Sequence, residues 1–135
     1  MEIVFDFDGV LCEYNGWRGH NIIGEPIAEM IDLVKKLHER GHTLKLSTTR
    51  LNPYPFGDER PDQDVLLGNA EHYIRVWLKK QGIEECFCEI TGYKPYGDYY
   101  IDDKALRYAP LEKDHVHGGL LGHEIYDILL KEELE

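Results

Sequence analysis

Two periods of apolar residues alternate along this chain. Ile3-Val4-Phe5, continued by Phe7 and Val10, has the composition of a strand buried on both faces. Pro26 suits a first helical position, and Ile27, Met30, Ile31, Val34 and Leu37 then recur at helical spacing until Gly41 stops the run. Thr43-Leu44-Lys45-Leu46-Ser47 predicts a short second strand. Asn69 is placed to cap a second helix with Ala70, Tyr73, Ile74, Trp77 and Leu78 along one face, closed by Gly82. Cys86-Phe87-Cys88-Glu89-Ile90 predicts a third strand and Asp98-Tyr99-Tyr100-Ile101 a fourth. A last helix is expected over about 122–134, with Ile125, Ile128 and Leu129 facing the body. Alternating strands and helices predict a three-layer α/β/α, Rossmann-like domain with a mainly parallel sheet and right-handed crossovers.

The connections differ in character. Residues 11–25 form a glycine-containing link with Trp17, Arg18 and His20, too short for a domain and suited to a small flap over the strand ends. Residues 51–68 hold three prolines, two glycines and the cluster Asp58-Glu59-Arg60-Pro61-Asp62-Gln63-Asp64 without a period. Such a length suits a lid or binding loop, and a solvated excursion equally well. The tail, 108–135, is the least patterned part.

Composition narrows the function. The 135 residues amount to about one domain, large enough for an ordinary core. A formal net charge of -11 opposes binding to duplex nucleic acid through a broad basic face, and an anionic substrate would need local positive charge. Cys12, Cys86 and Cys88 are odd in number, and the Cys-x-Cys pair is too close for an easy disulfide, so free thiols in a reducing cytosol are expected. A zinc site on Cys86 and Cys88 lacks two further ligands at a sensible spacing. No charged leader with an apolar run precedes the first strand, and no apolar stretch approaches the roughly 18 residues of a membrane span. A soluble, cytoplasmic protein without membrane contact is expected.

The polar residues that interrupt this pattern fall at strand ends. Asp6 and Asp8 close the first strand, where a period of two turns both carboxylates to one side and Gly9 permits a sharp bend. Thr48, Thr49 and Arg50 follow the second strand, Lys94 the third, and Asp102-Asp103 the fourth. In parallel sheets, sites lie beyond the carboxyl ends of the strands. Paired carboxylates with oxygen-only chemistry suit Mg2+, which takes one or two of them and leaves room for substrate phosphate. A carboxylate nucleophile, a second carboxylate for proton transfer, a hydroxyl, a lysine and a cation-binding acidic pair together suit phosphoryl transfer.

The ordered set Asp6-Phe7-Asp8-Gly9-Val10, Thr48, Lys94 and Asp102-Asp103 resembles the four motifs of the haloacid dehalogenase-like (HAD) superfamily, over residues 1–107. Thr48-Thr49-Arg50, Gly92-Tyr93-Lys94-Pro95 and Tyr100-Ile101-Asp102-Asp103-Lys104-Ala105 are similar to a branch of capsule and polysaccharide biosynthesis phosphatases. The resemblance implies Asp6 as nucleophile and metal ligand, and Asp8 as acid/base with its backbone carbonyl on the metal. It implies Thr48 and Lys94 as ligands of the transferring phosphoryl group, and Asp102 and Asp103 as completing the magnesium site. Both usual points of cap insertion are short here, so a capless member is implied, with an open site or one covered by the 51–68 loop or by another subunit of a homo-oligomer. Arg18, Arg50, Lys104 and Arg107 are candidates for substrate anions, and Trp17, His20 and Tyr54 for stacking on a sugar or base. Arg50 is the best placed, either on substrate or bracing its loop through a carboxylate such as Asp103.

The function expected is thus magnesium-dependent hydrolysis of a small phosphomonoester, for instance a sugar phosphate of surface-polysaccharide synthesis. A nucleotidase or polynucleotide-end phosphatase is the alternative within the class. Outside it stand a degenerate phospho-ligand binder and a receiver-type signalling domain, whose phospho-accepting Asp after the third strand has no counterpart near Ile90-Thr91.

Overall fold

Four strands, Glu2–Phe5 (β1), Thr43–Ser47 (β2), Phe87–Thr91 (β3) and Tyr99–Ile101 (β4), make an all-parallel sheet in the order β3-β2-β1-β4. The computed structural model describes residues 1–52, 63–108 and 119–134. Tyr54, most of the 51–68 connection with its acidic cluster, and His115 and His117 lie outside the described residues. The expected α/β class and parallel, Rossmann-like sheet are observed. The chain divides into two units, Met1–Asp103 and Lys104–Glu135.

In the first unit, two helices follow β1 and β2: Ala28–Glu39 (α1) and Gln63–Lys80 (α2). Ile31 and Val34 of α1 and Ile74, Trp77 and Leu78 of α2 join Ile3, Phe5, Leu44, Leu46 and Phe87 in one hydrophobic core. In register, Ile3 pairs with Leu44 and Phe5 with Leu46, so one face of the sheet carries that core. Fully burying such a side chain stabilises by about 1.5–3 kcal/mol. On the other face, Lys45 Nζ donates to the Tyr96 carbonyl (3.0 Å) and Ser47 Oγ to that of Tyr93 (2.9 Å), laying the connection before β4 across the strands.

Both helices end on the same device. Gly41 (φ +84) and Gly82 (φ +74) take the left-handed conformation that reverses the chain. The amides of Gly82 and Ile83 then donate to the carbonyls of Lys79 and Leu78, while Ile83 and Leu78 are buried together. Gly41 and His42 repeat the pattern on His38 and Leu37.

The helix starts differ from expectation. Pro26 is not the first helical residue: it forms an antiparallel bridge with Cys12, and Ile27 enters α1 in extended conformation without a side-chain cap. Asn69 lies inside α2, which begins six residues earlier; Gly68 has no steric demand there, and its propensity cost of about 1 kcal/mol is small against the packing of the helix. Cys86 belongs to a 3₁₀ turn, Glu84–Cys86, ahead of β3, and Asp98 pairs with Glu2 ahead of β4.

The second unit contains Gly122–Leu134 (α3) and a parallel bridge between Tyr108 and Leu120. Glu124 Oε1 accepts the Leu121 amide (3.0 Å), one half of a capping box. Ile128 and Leu129 are exposed at 38% and 57%, and Ile125 is half-buried. Among the described residues no helix is long and apolar enough to cross a membrane.

Candidate functional site

Strand order brings the acidic residues together. The chain runs β1, β2, β3 in one direction, and β4 then returns to the free side of β1, so the order reverses between β1 and β4. Phe5 pairs with Ile101, and the Asp6 amide donates to the Ile101 carbonyl at 2.9 Å. Asp6 and Asp102 therefore leave adjacent strands side by side. Phe5 and Phe7 are both fully buried in the core, which turns Asp6 between them toward the opposite face. Carboxylate oxygens of Asp6, Asp102 and Asp103 all lie within 4.8 Å of one another.

Gly9 completes the corner. It has φ +84, and a Cβ there would overlap the Asp103 carboxylate, so the turn after β1 is open to Asp103 because this residue has no side chain. Asp6 is half-buried and accepts the Phe7 amide at 2.8 Å. Burial pushes its carboxyl up to about 6, against the lowering effect of that hydrogen bond, and the charges of Asp102, Asp103 and Asp8 raise it further. Crowded carboxylates of this kind are the donor set of a hard divalent cation, whose charge would relieve the repulsion. The residues present fit Mg2+.

Asp8 does not join them. The alternation ends at Phe7; Val10, Leu11 and Cys12 direct their amides to the Phe7 carbonyl, and this tight turn sends the Asp8 side chain elsewhere. Arg50 receives it in a two-pronged pair, Nε to Oδ2 at 2.8 Å and Nη2 to Oδ1 at 2.9 Å. Asp6 and Asp8, expected on one side as a cation-binding pair, thus have separate environments. Arg50 is only 5% exposed and braces its loop through Asp8, not Asp103.

Thr48 ends β2 as expected. Its amide donates to the Thr91 carbonyl (2.9 Å), and its Oγ1 accepts the Arg50 amide (3.2 Å), which starts a 3₁₀ turn over Thr49–Leu51. At 2% exposed, its hydroxyl is a local cap in this structure. Lys94 lies on the connection that crosses the sheet, with Nζ 4.5 Å from the centre of the Tyr100 ring. Arg18 is exposed, and Lys104 and Arg107 belong to the second unit.

The link between β1 and α1 is an arm with a closed base. The amide of Glu13 donates to Glu25 and that of Ile27 to Leu11, both at 2.8 Å. A Cβ on Gly24 would overlap the Glu13 carbonyl, so the two limbs meet at a glycine. Trp77 of α2 donates its indole N–H to the Gly24 carbonyl (3.2 Å) and packs edge-on against Phe7. Near the tip, Arg50 holds the carbonyls of Gly19, His20 and Ile22. His20 packs edge-on against Trp17 at 4.8 Å, and burial, then the charge of Arg50, lowers its pKa. Sequence reasoning missed these ties; the available signal was an arginine directly after a strand-ending threonine pair.

The Cys12 thiol, buried beside Asp8, is pushed up to about 12 by burial and by that carboxylate, so it remains a thiol and is no nucleophile. Cys12, Cys86 and Cys88 are all free.

No family model matches this chain, and no curated protein does. A solved structure of a structural-genomics target from Vibrio cholerae is 23% identical, covers 97% of this chain and 98% of its own, and superposes with a TM-score of 0.46. A likeness of that degree carries no argument about chemistry.

Proposed function

We propose that the chain is a capless HAD-type phosphatase that hydrolyses a small phosphomonoester through an aspartyl-phosphate intermediate. The observation that carries this reading is the meeting of Asp6, Asp102 and Asp103 beyond the ends of two adjacent parallel strands, at the point where strand order reverses. Those three carboxylates would hold Mg2+, which when bound supplies positive charge to the phosphoryl oxygens. Asp6 attacks phosphorus and the ester oxygen leaves with a proton from Asp8. Asp8 then takes a proton from water as that water displaces the Asp6 carboxylate, releasing inorganic phosphate and regenerating the enzyme. Thr48, directly after β2, and Lys94, on the connection before β4, are assigned to the phosphoryl oxygens, as the resemblance implies. The small arm in place of a cap domain suits a compact metabolite, with a sugar phosphate as the first candidate and a nucleotide as the second.

The test is phosphate release from a panel of sugar phosphates, nucleotides and an aryl phosphate, with and without Mg2+, for the wild type and Asp6→Asn. Metal-dependent turnover, reduced at least about 10³-fold by Asp6→Asn, is expected for removal of a nucleophile. Turnover that survives this substitution would overturn the mechanism. A folded, metal-loaded protein inert toward the whole panel would overturn the assignment.

A further inference from the structure

We infer that Arg50 is a positioning residue that ties Asp8 to the tip of the 13–25 arm and does not itself bind the substrate anion. A guanidinium has five N–H donors in a fixed fork, and here each is spent. Nε and one proton of Nη2 grip Asp8 at 2.8 and 2.9 Å. The other proton of Nη2 meets the Ile22 carbonyl at 3.1 Å, and Nη1 meets those of His20 and Gly19 at 3.3 and 3.5 Å. No donor is left for a phosphate oxygen. The group is buried, with its Cζ 5.8 Å from the Phe7 ring centre and 5.1 Å from that of Trp17. Phe7 precedes Asp8 and Trp17 is on the arm, so both ends of the tie are also held by cation–π contact.

The consequence is a mechanical unit. The arm is pinned twice, at Gly24 by Trp77 and near its tip by Arg50, and only the second pin also holds Asp8. The Asp8 carboxylate is thus held from the arm's side by Arg50 and from the turn's side by the Cys12 thiol at 3.7 Å. Trp17, 53% exposed on the arm, is the part of the tie that solvent reaches, and its ring lies 5.1 Å from the Arg50 Cζ that holds Asp8. The inference about turnover rests on the phosphatase reading of Asp8; the tie itself does not.

Two measurements on the full chain separate these parts. The first is a double-mutant cycle on aryl phosphate hydrolysis with Arg50→Ala, Asp8→Ala and the pair. Arg50→Ala is expected to lower kcat/KM by on the order of 10²-fold, the loss that misplacement of a catalytic group produces. In the Asp8→Ala background it is expected to change kcat/KM by less than about twofold, because its effect runs through Asp8. A loss of equal size in both backgrounds would overturn the inference, since Arg50 would then act on substrate or on the fold at large. Arg50→Lys, which keeps the charge but not the fork, is expected to fall between wild type and Arg50→Ala; where Asp8→Ala does not fold, Asp8→Asn carries the same cycle.

The second measurement needs no turnover. Acrylamide quenching of Trp17, taken as the difference between chains with and without Trp17→Phe, is expected to rise in Asp8→Ala as Arg50 loses its anchor. Trp77, buried under the arm, supplies the shielded background. Unchanged quenching would overturn the tie even in an active phosphatase. Increased quenching in a protein that turns over nothing would leave the tie standing and remove only the reading of function.

Discussion

Asp6 and Asp8 leave the same strand two residues apart and meet opposite surroundings. Asp6 sits with Asp102 and Asp103 and is pushed up to about 6 by burial and like charge. Asp8 has its cation built into the fold, a buried arginine that spends two of its three nitrogens on it. A carboxylate crowded by like charge and one paired with a built-in cation are suited to different tasks, and environment, not residue type, separates them. The difference teaches that an Asp-x-Asp at a strand end is not by itself a chelating pair. Its second member is free to belong to another element.

The sharpest break in the comparison is Asp6→Asn. It is expected to cost at least about 10³-fold in turnover while raising the thermal midpoint of the metal-free protein at neutral pH, because an amide lacks the charge that burial and neighbouring carboxylates disfavour. Loss of both activity and stability would show that the Asp6 charge is stabilised in the folded chain and not disfavoured by its neighbours.

Arg50→Met tests the other side. It leaves Asp8 partly buried without its cation and is expected to lower unfolding stability by about 3 kcal/mol, as removal of one partner from a buried pair does. Lys45→Met is the control, since Lys45 pairs at 3.2 Å with a partly exposed Glu2 side chain, and it is expected to cost much less than Arg50→Met. Urea denaturation of both variants gives the ratio; equal costs would mean that Arg50 is no more than a surface partner.

How much of this was legible in the sequence follows from the range of the interactions. Strand β2 was bounded correctly, and the helix stops at Gly41 and Gly82 were readable, because glycine chemistry and short periods are local. The acidic cluster was legible as well: a parallel sheet delivers Asp6 and Asp102-Asp103 to the same edge once β1 and β4 are neighbours. The partner of Arg50 was not, since a side chain reaching across 42 residues of sequence depends on a turn at Phe7 that alternation cannot foresee. The start of α2 was missed because tertiary packing overrides the helix-breaking tendency of Gly68.

A smaller effect is expected at the corner that separates the two aspartates. Gly9→Ala places a methyl group where the Asp103 carboxylate lies and forces a left-handed φ on a residue with a side chain. A cost of about 1–2 kcal/mol is expected from the backbone alone. Magnesium affinity, measured by titration calorimetry, should fall with it because Asp103 must move. A variant that loses stability but keeps its affinity would place Asp103 outside the cation site.

The smallest effect is the pH dependence of the metal-free protein. Asp6 titrates near 6 in the folded chain and near its ordinary 3.8 when unfolded, so between those values the folded state holds the extra proton. Protonation therefore favours folding, and the Asp6 contribution makes stability fall as pH rises from about 4 to about 6, then level off. The difference between 3.8 and about 6 corresponds to roughly 3 kcal/mol, and solvent screening of a half-buried group reduces it to about 1 kcal/mol. The decline should be absent from Asp6→Asn and offset by saturating Mg2+ at neutral pH, because a bound cation would supply to Asp6 the positive charge that the proton supplies in the metal-free chain. A metal-dependent pH profile that survives Asp6→Asn would move the cation toward Asp8 and erase the division between the two carboxylates.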